Sequence, residues 1–240
     1  MYNLFLLISF TVLLSNEEAI GSIKDITDNY SEKLDNKLNH KIDIICPGNV
    51  GCECSESNDC KNSNCIRIPK GGYCMPAYND TMPNFYSLNQ FEELVSLKEI
   101  ETNGKFVLLE MGTTWCAPCN VLASWLSWGD NEIENKRWWR PQYNKIKELI
   151  NNDEVILITV LYENENRENS SYETVYAWYD NFPDEHTIIL SDNNKELHKW
   201  LKPTGIPAIT LLDSNMNVIV YTNRGLNVAF DKLLELTNDR

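Results

Sequence analysis

The distribution of cysteine constrains this chain more than any other feature, because six of its eight cysteines lie between Cys46 and Cys74. The segment is rich in Gly, Asn and Ser and poor in large apolar residues. It therefore cannot bury enough surface to fold by hydrophobicity alone, and disulfides must stabilise it. We predict a small disulfide-rich module at residues 46–76. Its three bridges can be arranged in 15 ways among Cys46, Cys52, Cys54, Cys60, Cys65 and Cys74.

The same cysteine density indicates an oxidising compartment, since such segments are typical of exported proteins. The N-terminus agrees, because Leu4 to Leu14 is an apolar run followed by the small residues Ala19 and Gly21. We predict a signal peptide at residues 1–21, although a buried segment or a short membrane anchor is an alternative. Residues 22–45 are polar and are interpreted as a linker or a loose helix. We expect an extracytoplasmic protein (periplasmic, secreted or in a secretory lumen) with no stable membrane span after cleavage.

The length of the chain limits its domain organisation, and its net charge limits the class of partner it can bind. The chain has 240 residues, 42% of them hydrophobic, which is enough for one medium-sized domain and a smaller unit. Its formal charge of −14 argues against nucleic acid as a partner, because a nucleic-acid-binding surface is basic.

Helical and strand patterns alternate through residues 77–240, which indicates an α/β domain with a sheet covered on both faces. Ser87 and Gln90 have the spacing of a capping box and predict a helix that ends near Glu101. Apolar runs predict five further strands, at 105–111, 154–162, 186–190, 207–213 and 217–222. Five helices are also predicted: one begins at Cys116, one begins near Pro141, and three span 170–182, 193–201 and 226–236.

Two further cysteines, Cys116 and Cys119, follow the apolar strand at 105–111. A zinc site is disfavoured because there is no second C-x-x-C pair and the three histidines lack paired spacing. A structural disulfide is the second alternative, but so short a loop restricts the unfolded chain little. A redox pair has a physical basis, since the first turn of a helix offers Cys116 unpaired N–H groups and the positive end of the helix dipole, which favour the thiolate.

The stretch "FVLLEMGTTWCAPC" resembles the active-site strand and turn of the thioredoxin superfamily. About ninety residues later, "TGIPAITLLDSNMNVIV" resembles its cis-proline segment. Between them, residues 163–201 resemble the extra helix-strand insertion of the extracytoplasmic TlpA-like group. The resemblance covers roughly residues 83–240 and leaves the cysteine-rich module unassigned. It implies a thioredoxin-like fold, in which helices flank a central mixed sheet with a helix-strand insertion.

The resemblance also implies residue roles. Cys116 would be the nucleophile and Cys119 the resolving thiol. Pro207 would be the cis-proline, and Ile206 before it would bind an extended substrate. Glu110 would be the buried acid beneath the site, which shuttles a proton to and from Cys119. The alternative for Glu110 is an exposed carboxylate, because one error in strand alternation would turn it outward.

The resemblance places Trp115 beside the disulfide, where it would shape the substrate-contacting surface. Five of the seven tryptophans lie between Trp115 and Trp139. We interpret this clustering as core packing between helices, with an aromatic surface for substrates as the alternative. His198 is interpreted as a helix-surface residue.

The function that these features predict is an extracytoplasmic thiol–disulfide oxidoreductase that acts on proteins through Cys116-Ala117-Pro118-Cys119. Ile206 and Pro118 favour the reducing direction. No cofactor and no metal are expected; the partners are protein thiols or disulfides and an unidentified redox donor or acceptor. The alternatives are a disulfide isomerase or oxidase in secretory folding, and a non-catalytic thioredoxin-fold binding module.

Overall fold

The computed structural model describes residues 34–238 with the exception of Asn36. The predicted signal peptide and most of the segment 22–45 lie outside the described residues. Leu34, Asp35, Lys37 and Leu38 are helical, and residues 41–238 belong to a separate compact unit. No helix in the described part of the chain is long and apolar enough to cross a membrane.

A five-stranded mixed sheet forms the centre of residues 41–238. Its strands are β5 (Phe106–Gly112), β6 (Val155–Leu161), β7 (Thr187–Ser191), β8 (Ala208–Leu212) and β9 (Val218–Val220). They lie side by side in the order β7-β6-β5-β8-β9. Strands β5, β6 and β7 run parallel, whereas β8 pairs antiparallel with both β5 and β9. Strands β5 and β6 are apolar almost throughout because both of their faces are covered.

Helices cover both faces of this sheet, and the alternation of side chains along β5 assigns them to two clusters. Leu108 packs with helices α1, α2 and α5 on one face, whereas Val107 and Leu109 pack with α4 on the other. Helix α3, which lies within the segment 163–201, packs against β6 and β7 together with Cys116 and Cys119. The helices are α1 (Ala117–Trp128), α2 (Asn144–Asn151), α3 (Tyr172–Asn181), α4 (Glu196–Leu201) and α5 (Asn227–Asn238).

This strand order, with a C-x-x-C turn between β5 and α1, is a thioredoxin-like fold, and the predicted fold class is confirmed. The predicted strands and helices from residue 105 onward are also present, with bounds that differ by a few residues. The turn at Asn103-Gly104 has both residues at positive φ, 50° and 81°.

The helix predicted from Ser87 to Glu101 is wrong. The chain instead forms a hairpin of β3 (Tyr86–Leu88) and β4 (Leu94–Ser96), followed by a 3₁₀ turn at Leu97–Glu99. The two side chains that suggested a capping box, Ser87 and Gln90, instead form hydrogen bonds with backbone groups along the edge of β7 that no described strand pairs. Gln90 Nε2 donates to the carbonyl of Thr187 at 2.7 Å, and Ser87 Oγ accepts the N–H of Ser191 at 2.9 Å. Pairing an unpaired sheet edge therefore outweighs the local helical signal.

The cysteine-rich segment contains the three disulfides that were predicted, and they staple a hairpin of β1 (Cys65–Ile68) and β2 (Gly71–Cys74). The pairs are Cys46–Cys52, Cys54–Cys65 and Cys60–Cys74, which resolves the connectivity.

The chain that leaves this hairpin covers the other edge of the sheet. Asn79 donates its N–H to Val218 at 2.7 Å, and Val218 donates back to Asp80 at 2.8 Å. The hairpin itself contacts the end of α4, where the Lys202 ammonium lies 4.2 Å from the centre of the Tyr73 ring. The module therefore packs directly against the thioredoxin-like fold, and the boundary predicted at residue 77 remains a prediction.

Candidate active site

Cys116 is the N-cap residue of α1, and its sulfur accepts the backbone N–H of Cys119 at 3.3 Å. Pro118 lies in the first turn, where a missing N–H has no helical acceptor to lose. The two cysteines form a disulfide with their Cα atoms 5.2 Å apart, and they are 2% and 1% exposed. The N–H group that faces the Cys116 sulfur would also stabilise a thiolate at this position.

Glu110 is buried on the face of β5 that carries Leu108, so the exposed alternative is wrong. The hydroxyl of Thr159 donates to its Oε2 at 2.9 Å. Its Oε1 has no hydrogen-bond partner within the described residues. Burial raises the pKa of Glu110 to about 7, although the Thr159 hydrogen bond opposes this rise.

Gly112 leaves open the space between this carboxyl and the disulfide. A Cβ atom at Gly112 would lie 3.5 Å from Cys119 Sγ and 3.6 Å from Glu110 Oε1. The sulfur and the oxygen are therefore separated by no more than the sum of these two distances. Sequence analysis missed Gly112, although a glycine at the end of a buried β-strand is a recognisable signal of close approach.

The peptide bond between Ile206 and Pro207 is cis, and Ile206 packs against the cluster that contains Cys116 and Cys119. A segment after β9 holds this loop, since the N–H of Gly225 donates to the carbonyl of Pro207 at 2.7 Å and the N–H of Thr204 donates to Asn223 at 2.7 Å. The backbone N–H and C=O of Ile206 form no hydrogen bond with any described residue.

Trp115 is half-buried beside the same cysteine cluster and is fixed by side chains from the insertion. Its indole N–H donates to Glu163 Oε2 at 3.0 Å, and the guanidinium of Arg167 lies 3.9 Å from the centre of its ring. Lys195 Nζ donates to the other oxygen of Glu163 at 2.7 Å. Burial would raise the pKa of Glu163, but the hydrogen bonds from Lys195 and Trp115 outweigh it and lower that pKa. Sequence analysis missed these contacts because the insertion carries no motif.

The other tryptophans between Trp115 and Trp139 lie mainly in the core, in agreement with the predicted core packing. Trp125 and Trp139 are 3% and 8% exposed and meet edge to face with 4.7 Å between ring centres, on the face of the sheet covered by α1 and α2. Trp128 differs, because 63% of its surface is exposed.

The expectation that His198 lies on the helix surface is wrong. The residue is half-buried and contacts the Tyr162 ring, with 4.4 Å between ring centres. Burial, with a smaller contribution from Lys195, lowers the pKa of His198 to about 4. The imidazole is therefore neutral at physiological pH.

No protein-family model matches this chain, and no curated protein is similar to it. Many solved structures have a similar chain trace, and two of them illustrate the similarity. A thiol:disulfide interchange protein from a Bacteroides species is 16% identical, with a TM-score of 0.45 over 68% of this chain and 91% of its own. A thiol-disulfide oxidoreductase from Bacteroides fragilis is 16% identical, with a TM-score of 0.46 over 65% of this chain and 99% of its own. The fold assignment above rests on the strand order and not on these similarities.

Proposed function

We propose that the protein is an extracytoplasmic thiol–disulfide oxidoreductase that reduces disulfides in protein substrates. The observation that carries this proposal is the position of the Cys116–Cys119 pair, at the N-terminus of α1 and packed beside the cis Ile206–Pro207 bond. The three disulfides of the cysteine-rich module support an oxidising compartment.

In the reduced protein the Cys116 thiolate attacks one sulfur of a substrate disulfide. A mixed disulfide forms and one substrate thiolate leaves. Cys119, deprotonated by Glu110, then attacks the Cys116 sulfur and releases the second substrate thiolate. Two electrons pass to the substrate, the Cys116–Cys119 disulfide re-forms, and a dithiol donor must reduce it again before the next cycle.

Glu110 suits the role of base in the second step because its pKa of about 7 lets it exchange a proton near neutral pH. The space left by Gly112 gives the carboxyl access to Cys119. Substrate reaches the buried Cys116 at the surface bounded by Trp115 and Ile206, and the unpaired backbone groups of Ile206 pair with its extended chain.

The decisive experiment uses residues 22–240 equilibrated in glutathione redox buffers. A potential near that of thioredoxin, about −270 mV, supports a reductase, whereas a value near −120 mV supports the oxidase alternative. The reduced protein should also reduce the disulfides of insulin, and Cys119→Ser should accumulate mixed disulfides through Cys116. Full biological activity of a Cys116→Ser variant would instead favour the binding-module alternative.

A further inference from the structure

Arg224 occupies a specific place beside the cis-proline loop. Its side chain crosses the face of Gly205, where a Cβ atom would lie only 2.8 to 2.9 Å from its Cγ, Cδ and Nε atoms. Gly205 does not have the positive φ that calls for glycine, so its missing side chain serves this contact. The backbone on either side of Arg224 is fixed by the hydrogen bonds of Asn223 and Gly225 to the loop. An exposed arginine side chain is thereby held against Gly205, the residue that precedes Ile206 in the chain.

Arg167 is held against Trp115, which like Ile206 packs against the cluster that contains Cys116 and Cys119. It lies in a tight turn in which Asn164 Oδ1 accepts the N–H groups of Asn166 and Glu168, both at 3.0 Å. Its side chain is exposed. Neither Arg167 nor Arg224 forms an ion pair with a described residue.

We propose that Arg224 and Arg167 make this site selective for protein segments that carry a carboxylate side chain close to the reacting cysteine. The inference rests on the proposed function, and it names the class of substrate. An extended chain advances about 3.3 Å per residue, and alternate side chains share a face. Gly205, against which Arg224 lies, directly precedes Ile206 in the chain. An acidic residue of the substrate, two positions from the substrate cysteine that reacts, is therefore well placed to meet Arg224.

The sign of this effect is opposite to that of the whole-protein field. With a net charge of −14, long-range attraction favours basic substrates. A preference for acidic ones can arise only from local cations. Arg224 should contribute more than Arg167, because Glu165 and Glu168 flank Arg167 in sequence and reduce its potential. An exposed pair of this kind changes a rate by about threefold.

The test measures single-turnover oxidation of the reduced, full-length mature protein by peptides with one internal disulfide. Three peptides carry Glu, Gln or Lys two positions from each cysteine, and the reaction is quenched with acid and followed by mass spectrometry. We expect the Glu peptide to react about threefold faster than the Gln peptide and the Lys peptide to be slowest. In 1 M salt, where the Debye length falls to about 3 Å, the three rates should converge.

Variants identify the source of the preference. Arg224→Gln should abolish most of the Glu-to-Gln rate ratio, and Gly205→Ala should do so while keeping the charge, because the new Cβ displaces Arg224. Arg137→Gln removes the same charge from an exposed position elsewhere and should leave the ratio unchanged. A Lys peptide that reacts as fast as the Glu peptide would overturn the selectivity while leaving the oxidoreductase intact. Failure of all three peptides and of insulin would overturn both.

Discussion

The buried carboxyl of Glu110 gives the sharpest prediction, which concerns the stability of the oxidised protein as a function of pH. The perturbation is Glu110→Gln, which removes the charge and keeps an oxygen that can accept the Thr159 hydroxyl. The amide N–H groups then lie where Oε1 has no partner in the described part of the chain, which adds a cost of about 1–3 kcal/mol at every pH.

The pH-dependent part follows from the shifted pKa. The pKa of Glu110 rises from 4.5 to about 7 in the folded protein. Well below pH 4.5 the carboxyl is neutral in both the folded and the unfolded states, so it does not affect stability. As the pH rises from 4.5 to about 7, the unfolded state loses its proton first, and the folded state is progressively destabilised. A shift of this size corresponds to about 3 kcal/mol above pH 7.

The assay is urea unfolding under non-reducing conditions at pH 4 and at pH 8. The stability of Glu110→Gln relative to the natural protein should rise by about 3 kcal/mol between these two pH values, or by roughly 6–12 °C in Tm. Asp192, whose pKa burial raises to about 6, titrates in both proteins and cancels in the comparison. The matched control is Glu101→Gln at an exposed loop position, which should show no such change. An equal stability difference at both pH values would refute the raised pKa and, with it, the role of Glu110 as a base near neutrality.

Three further predictions concern the stability of the folded protein. Replacing Cys60 and Cys74 together by Ser should lower the free energy of unfolding by about 3 kcal/mol, because their disulfide closes the longest loop of the three; an unchanged urea midpoint would contradict this. Trp125→Ala should cost about 3–5 kcal/mol in thermal or urea unfolding, whereas Trp128→Ala should cost less than about 0.5 kcal/mol, and equal losses would argue against the core assignment. His198→Gln should remove a loss of stability that the natural protein shows as the pH falls from 6.5 towards 4, since the pKa of His198 is lowered by burial; NMR titration of the imidazole near 6.5 would contradict it.

The sheet edges show where local sequence reasoning fails. Ser87 and Gln90 have the spacing of a helix start, and nothing near them in sequence indicates another use. Their actual partners, Ser191 and Thr187, are about a hundred residues further along the chain. Only the folded sheet creates the unpaired edge that these side chains satisfy.

The candidate site also contains some residues that local sequence identifies and others that only the folded chain brings together. The cysteine pair and the strand before it form one continuous stretch, so their arrangement follows from local helix and strand geometry, and the cis-proline segment has a motif of its own. Glu163 and Arg167 reach Trp115 from an insertion without a motif. Arg224 reaches Gly205 only because β8 and β9, which lie between them in the chain, pair antiparallel and bring the two residues to the same end of the sheet.

By itself, the sequence determined the fold class, the position of the Cys116–Cys119 pair at the start of a helix and the presence of a disulfide-stapled module, because each depends on residues close together or on motifs with fixed spacing. The tertiary structure decided the disulfide connectivity, the depth of Glu110 and the charges that surround the disulfide. These properties depend on distances between segments remote in sequence, and hydrophobic patterning fixes which face a residue occupies but not which neighbours it meets there.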